Sequence, residues 1–236
     1  MVTLTAPTIQ TMLTNKEKEL HDLIRYPAEK LASIIREIGF ECDLCGRCCT
    51  EEFNDHVFLL DTDTALIKQI DPSALTPAPY FEFCDQHGKF YVSGYALKSK
   101  PGGACYFLEG GRCRIYSQRL SICRIYPYML HREADEAGIV DWRQVSGLNE
   151  HGCYHSEIGE NEAGEIAKDT MDYEKSFLEQ EIRFLKAIDI HFRKNGLRHV
   201  QRMYDRQMRL CREGERIEVW VFYNGTFEIN RLPAEQ

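Results

Sequence analysis

Four of the ten cysteines in this 236-residue sequence fall within eight residues, Cys42-Asp-Leu-Cys45-Gly-Arg-Cys48-Cys49, a C-x2-C-x2-C-C run. Thiols at every third position can curl around one metal centre, with the intervening backbone N–H groups turned toward the sulfurs to spread their negative charge. Gly46 suits the tight turn this requires. Four more thiols follow at wider spacing, Cys105, Cys113, Cys123 and Cys153, which makes eight, or two sets of four. Adjacent Cys48 and Cys49 can hardly aim at one point without strain, so one of them is expected to reach a second centre or another face of the first. Four unliganded thiols so close together would be exposed to oxidation, and metal ligation is the better reading of the run. Between metals, single distant ligands around a period-three run favour one or two iron–sulfur clusters, of the 4Fe-4S type. Zinc sites more often come as two separate C-x2-C knuckles. Thr50 stands where bacterial ferredoxins place a proline after the last cysteine. Zinc remains the alternative, with His151 or His155 of His151-Gly-Cys153-Tyr-His155 as possible nitrogen donors. Cys211, on the apolar face of an expected helix, and Cys84 read as small core hydrophobes.

These thiols sit in an otherwise ordinary globular composition. Apolar residues make up 43% and charged residues 28%, which excludes wholesale disorder, a collagen-like fibre and a coiled-coil rod. Lys plus Arg number 29 against 37 Asp plus Glu, a formal charge of −8, which argues against nucleic acid as the main partner. The longest apolar runs, such as Val57-Phe58-Leu59-Leu60, fall far short of the roughly 20 residues that span a bilayer. The first residues lack the basic and apolar regions of a secretory signal. A cytoplasmic protein without a membrane partner is expected.

The elements that must position the thiols are legible in outline. Thr14-Asn15-Lys16-Glu17 has the form of a capping box and predicts a first helix from there through Leu20, Leu23 and Ile24. Pro27 fits the first turn of a second helix, in which Leu31, Ile34, Ile35 and Ile38 recur at helical spacing before Gly39 ends it. From Cys42 to about His155 the chain is turn-rich, with short strands expected at 56–60, 80–83 and 90–95, the last two joined as a hairpin. Gly110-Gly111 predicts another tight turn between Cys105 and Cys113; a three-residue loop there would set both thiols on one side. Cys113-Arg-Ile-Tyr116 recurs as Cys123-Arg-Ile-Tyr126, which suggests two similar settings for a thiolate. Beyond Asn161 a long helix carries Tyr173, Phe177, Leu178, Ile182, Leu185, Ile188 and Phe192 on one stripe and ends near Asn195-Gly196. A further helix through Val200, Met203, Tyr204 and Met208 closes at Gly214, and Asn224-Gly225 joins two strand-like runs into a hairpin. The fold class is α+β. A metal-organised cysteine region within 1–160 would be followed by a helix, helix and β-hairpin extension over 161–236.

The combined pattern of Cys42 to Cys49, Cys105, Cys113-Arg-Ile-Tyr116, Arg119-Leu-Ser-Ile-Cys123-Arg-Ile-Tyr-Pro127 and Cys153 resembles the YkgJ-type cysteine-cluster proteins. That prokaryotic family is described as zinc- or iron-chelating and is often labelled iron–sulfur oxidoreductase. The resemblance covers about residues 42 to 155 and implicates the same eight cysteines. It departs at Leu120, where the family pattern carries proline after the arginine, which removes a turn restraint but no ligand. The flagellin lysine N-methylases look similar in carrying this cysteine-cluster type, so modification of a partner protein is one implied function. No G-x-G-x-x-G loop offers a methyl-donor site of Rossmann type.

Electron transfer or iron–sulfur redox chemistry is the leading expectation, with Arg47, Arg114 and Arg124 either tuning charge near the thiolates or forming structural ion pairs. Tyr116, Tyr126 and Tyr128 either donate to sulfur or pack in the core. A redox or other protein partner would complete the first reading. A zinc-stabilised protein-binding module is the non-enzymatic alternative. No G-x-S-x-G, H-E-x-x-H or G-x4-G-K-[ST] pattern is present, so hydrolase and nucleotide-triphosphatase chemistry lacks a starting point. Asp61-Thr62-Asp63 reads as turn or helix-cap residues.

Overall fold

The computed structural model describes residues 8–53, 55–134, 140–144 and 150–232; residues 1–7, read above for a secretory signal, lie outside them. Helix α1 spans Ile9–Ile24, with its cap six residues earlier than the Thr14 capping pattern predicts. Thr8 is the cap, its hydroxyl accepting from the Thr11 N–H at 3.2 Å, while the Thr14 hydroxyl turns back onto the Gln10 carbonyl at 3.0 Å. A Ser/Thr hydroxyl can make either bond, and here the earlier cap wins. Helix α2 spans Ala28–Ile38, with Pro27 as its N-cap rather than inside its first turn, and buries Leu31 and Ile35 completely. Each such side chain contributes about 2–3 kcal/mol on leaving water.

Gly39 ends α2 at φ +56°, and a Cβ there would lie 2.2 Å from the Ser156 carbonyl oxygen. The reason is a close backbone crossing: Glu41 and Cys153 exchange N–H···O bonds of 2.8 and 2.9 Å, and Ser156 N–H reaches the Gly39 carbonyl at 2.9 Å. On the other side of this crossing Gly152, at φ +72°, leaves no room for a Cβ beside the Phe40 ring. Two glycines thus let the entrance of the cysteine run lie against residues 152–156.

The middle of the chain is a mosaic of short strands. Strand β1 (Val57–Leu59), helix α3 (Asp61–Ile70) and strand β2 (Leu75–Pro77) precede β3 (Phe83–Cys84), β4 (Phe90–Val92) and β5 (Tyr95–Leu97). The run expected as one strand over 90–95 divides between two sheets. β5 pairs antiparallel with β1 and β2, and β4 with β3. Next come β6 (Leu108–Glu109) and β7 (Arg112–Cys113), joined through Gly110 and Gly111 at φ +55° and +76°, a two-residue turn of the type that matches strand twist. A five-residue helix α4 (Ser121–Ile125) and the paired strands β8 (Tyr128–Ala134) and β9 (Val140–Gln144) complete this part.

Helix α5 runs from Glu160 to Asn195, 36 residues and about 54 Å at 1.5 Å per residue, and Gly196 terminates it in the left-handed region. Of its expected stripe, Tyr173, Leu178, Ile182, Leu185, Ile188 and Phe192 are buried. It packs against α2 toward its N-terminal end and against the aromatic cluster of Phe83, Tyr91 and Phe222 toward its C-terminal end, with α1 lying along it and adding Ile9, Met12 and Leu13 to that cluster. Helix α6 (Gln201–Arg212) lays Met203, Tyr204, Met208 and Cys211 on the main core. Strands β10 (Ile217–Tyr223) and β11 (Thr226–Leu232) turn at Asn224-Gly225, and β10 adds in parallel to β4, giving the sheet order β11-β10-β4-β3. The expected α+β class holds. Among the described residues no helix is long and apolar enough to cross a membrane.

Candidate metal centre

Five of the eight thiols read as ligands owe their placement to identifiable backbone devices. Gly46 adopts φ +76° and starts a 3-10 turn over Arg47–Cys49, which carries Cys48 and Cys49. The Cys105 N–H donates to the Cys49 carbonyl at 2.7 Å, so these two residues are tied by backbone. Cys113 sits opposite Leu108 in the β6–β7 hairpin. Because the turn has two residues, Cys105 precedes the paired strand instead of facing Cys113 across it.

Cys123 is held through a longer relay that begins on α5. Gln180, fully buried there, accepts the Asp61 N–H at 2.8 Å, one of the orphan donors in the first turn of α3. Two residues on, Asp63 Oδ1 accepts both the N–H and the hydroxyl of Ser121 at 3.0 Å. That bond caps α4, the helix on which Cys123 rides. Asp63→Ala should therefore cost about 1–2 kcal/mol and loosen Cys123, since the Ser121 donors lose their acceptor. Asp63→Asn should retain the cap. Burial raises the Asp63 carboxyl above its ordinary range and Oδ2 has no hydrogen-bond partner, so the amide also removes a poorly solvated charge. Thermal unfolding at pH 7 checks this: wild-type-like or higher Tm for the Asn variant and a lowered Tm for Ala.

Six of the thiols, on Cys42, Cys48, Cys49, Cys105, Cys113 and Cys123, line one cavity of about 90 Å³. All ten cysteines of the chain are free thiols. Cys45 and Cys153 are exposed and are not part of the cavity wall. The Glu41–Cys153 crossing nonetheless brings Cys153 beside the start of the run. Cys84 and Cys211 keep the core positions read for them; Cys84 is fully buried and its thiol is pushed up to about 12 by burial. Both copies of the Cys-Arg-Ile-Tyr echo reach the cavity, Cys113 with Tyr116 and Cys123 with Tyr126, although one lies on a strand and 3-10 turn and the other on a helix.

The rest of the wall is largely apolar, including Leu44, Val57, Leu97, Phe107, Ile115 and Ile122. Burial pushes the Cys105 thiol up to about 11. Cys123 is raised by burial and then by Cys49, Cys105 and Cys113. Cys49 is raised first by a hydrogen bond with Cys48 and then by burial. Crowded, half-desolvated thiols of this kind do not ionise on their own; a bound cation is what brings them to the thiolate form. Six soft donors, with no carboxylate among the described residues of the wall, fit zinc or iron, not a hard oxygen-seeking cation. Among the described residues no three Cys, His, Asp or Glu side chains are gathered as ligands of a single ion. The thiols surround the cavity instead of meeting at one point.

The neighbours singled out in the sequence divide cleanly. His151 is buried and its Nε2 lies 2.7 Å from the Tyr126 hydroxyl, with Phe53 4.5 Å away between ring centroids. Burial holds its imidazole below the ordinary range. His155 is exposed. The Tyr128 hydroxyl accepts from the Phe40 N–H at 2.9 Å and belongs to the core. Arg47 donates to the Glu150 carbonyl at 2.6 Å, and Arg114 pairs with Glu109 at 2.9 Å. Arg124 lies 3.5 Å from the Ser121 hydroxyl. Among the described residues of the wall the permanent cation is Arg119, quoted within a sequence motif but given no role there; His56 also lines the wall and pairs with Asp55.

Fold and cavity together define an α+β protein organised around a cysteine cluster. Residues 41–146 match the CxxCxxCC family model, whose description reads "Putative zinc- or iron-chelating domain", so this segment is similar to metal-chelating cysteine-cluster domains. The match takes in Cys42, Cys45, Cys48, Cys49, Cys105, Cys113 and Cys123, with Cys153 beyond its end. No curated protein and no solved structure matches the chain.

Proposed function

We propose that this chain is a cytoplasmic iron–sulfur protein acting in electron transfer or redox chemistry. The observation that carries the reading is the gathering of six free thiols around one apolar cavity. A tetrahedral zinc takes four donors, so six soft donors on one cavity suit a polynuclear, sulfide-bridged centre better than a lone zinc ion. Cys49, Cys105, Cys113 and Cys123 are the first four to consider, because Cys49, Cys105 and Cys113 all lie close enough to Cys123 to disfavour its ionisation. Cys42 and Cys48 would complete the wall. Cys45 and Cys153, exposed near the crossing of residues 41 and 153, are left for a second centre or for exchange with a partner.

When bound, an iron–sulfur cluster supplies one-electron chemistry at a potential set by hydrogen bonds, charge and solvent exposure. The chain's own contribution is to hold the thiols on short strands and turns, to wall them with Leu, Val, Ile and Phe, and to present Tyr116 at the rim, while the Tyr126 hydroxyl is engaged by His151. Tyr116 is 39% exposed and so marks the side on which the cavity meets solvent. A redox partner protein would approach there.

Iron, zinc and acid-labile sulfide determined on protein purified without oxygen test the proposal, with optical and EPR spectra before and after dithionite. About four or eight irons per chain with matching sulfide are expected. One or two zincs without sulfide would overturn the redox reading in favour of a zinc-stabilised binding module.

A further inference from the structure

Among the described residues the cavity wall holds six thiols, the His56 imidazole, which is paired with Asp55 at 3.0 Å, one guanidinium and no carboxylate. The guanidinium belongs to Arg119, whose carbon stands 4.4 Å from the centroid of the Tyr116 ring. Among the described residues it has no acidic partner, in contrast to Arg114, which is engaged by Glu109. Arg119 is half-buried, where leaving a cation without a counter-charge is costly. The thiols that share its cavity wall supply that counter-charge only when they are ionised.

We propose that Arg119 is the counter-cation of the thiolate centre: held on the Tyr116 ring, it offsets the ligands' negative charge, strengthens metal retention and raises the reduction potential. This rests on reading the cavity thiols as metal ligands. Four thiolates around a cluster carry more negative charge than its irons and sulfides offset, and one-electron reduction adds another. A fixed positive charge stabilises the reduced state more than the oxidised one. The low polarity of the wall makes the interaction stronger than it would be in water. Arginine suits the place because it stays protonated and stacks on an aromatic ring while its N–H edge remains free to donate.

The test compares Arg119→Gln, Arg119→Lys and Arg114→Gln in the full chain as purified, with metal and sulfide measured first. In an iron-loaded protein, Arg119→Gln should lower the one-electron reduction equilibrium about tenfold, which is 59 mV. Arg119→Lys should recover most of this and Arg114→Gln should leave the potential in place. An unchanged potential in Arg119→Gln, or an equal fall in Arg114→Gln, overturns the proposal. If the wild type holds zinc instead, the iron reading fails and competition with a chelator decides Arg119. About tenfold easier zinc loss in Arg119→Gln than in Arg114→Gln supports the counter-cation role, and equal loss overturns it. Should Arg119→Gln purify without metal, retention in Arg119→Lys supports a charge effect. Loss in both variants assigns the residue to packing on Tyr116 and overturns the proposal.

Discussion

Cys123→Ser should strip the protein of most of its bound metal, while Cys211→Ser should leave metal content at the wild-type level. Cys123 rides on α4 at the cavity wall, half-buried among Cys49, Cys105 and Cys113. A serine there keeps the volume but not the soft donor, and an alkoxide does not form under conditions in which a thiolate does. Changes merely behind a metal ligand cost 10–100-fold in affinity, so replacing the ligand should weaken retention by at least the upper end of that range, on the order of 100-fold. Cys211, packed from α6 onto the main core, is a packing thiol whose loss touches stability only slightly. Metal per chain after gel filtration, read beside the Tm of each variant, separates the two effects. Wild-type metal in Cys123→Ser would remove this thiol from the centre. The same comparison for Cys45→Ser bears on the two exposed thiols, since the sequence places Cys45 in the ligand run and the structure leaves it outside the wall.

Helix spacing and turn chemistry carried the sequence reading where one local rule acts alone. Gly39, Gly196 and Asn224-Gly225 do in the structure what their types predict, because a left-handed residue is a backbone necessity that few side chains meet. The Gly110-Gly111 turn is likewise where the pattern puts it. Thr14 failed as a helix start because a second hydroxyl, Thr8, was equally able to cap and lay at the true boundary. The run over 90–95 failed as a single strand because its two halves answer to different sheets, β4 to the C-terminal hairpin and β5 to β1.

For the site, residue type alone marked the thiols, but their grouping needed tertiary contacts that no spacing encodes. The Cys105–Cys49 backbone bond, the Glu41–Cys153 crossing and the relay from Gln180 through Asp63 to Ser121 all join residues far apart in the chain. Asp63 was legible as a cap residue, yet it caps a helix 58 residues away instead of its own. Arg119 lay in a recognised stretch beside Leu120, and its free charge became evident only once its sequence neighbours were seen to be engaged. The repeated Cys-Arg-Ile-Tyr was the one local signal of that wall, since both copies turn their cysteine and tyrosine toward it.

Removing the metal should loosen the middle of the chain while leaving the long helix in place. Apart from the ten-residue helix α3, the segment from Cys42 to Tyr126 is built of strands two or three residues long, 3-10 turns and a five-residue helix, elements too short to be stable by their own hydrogen bonding. Its thiols face a cavity at the edge of the main core, where Cys105, Cys113 and Cys123 pack on one side only, so ligation adds to packing there. Metal binding to thiolate sites is worth on the order of 10 kcal/mol, comparable with the whole stability of a domain of this size. Helix α5 has separate support: Ala163, Ala167 and Leu178 pack with Leu31 and Ile35 of α2, and Phe184, Ile188 and Phe192 pack with Phe83, Tyr91 and Phe222. Hydrogen exchange before and after chelation under reducing conditions should show protection lost across residues 42–53 and 105–126 and retained in α2 and α5. Acid should act in the same direction, because thiolates must be deprotonated to hold the metal and each proton that binds competes with it. Uniform loss of protection would mean that the metal supports the whole fold. Unchanged protection at 105–126 would show that the thiol wall stands without it and that the bound ion serves chemistry alone.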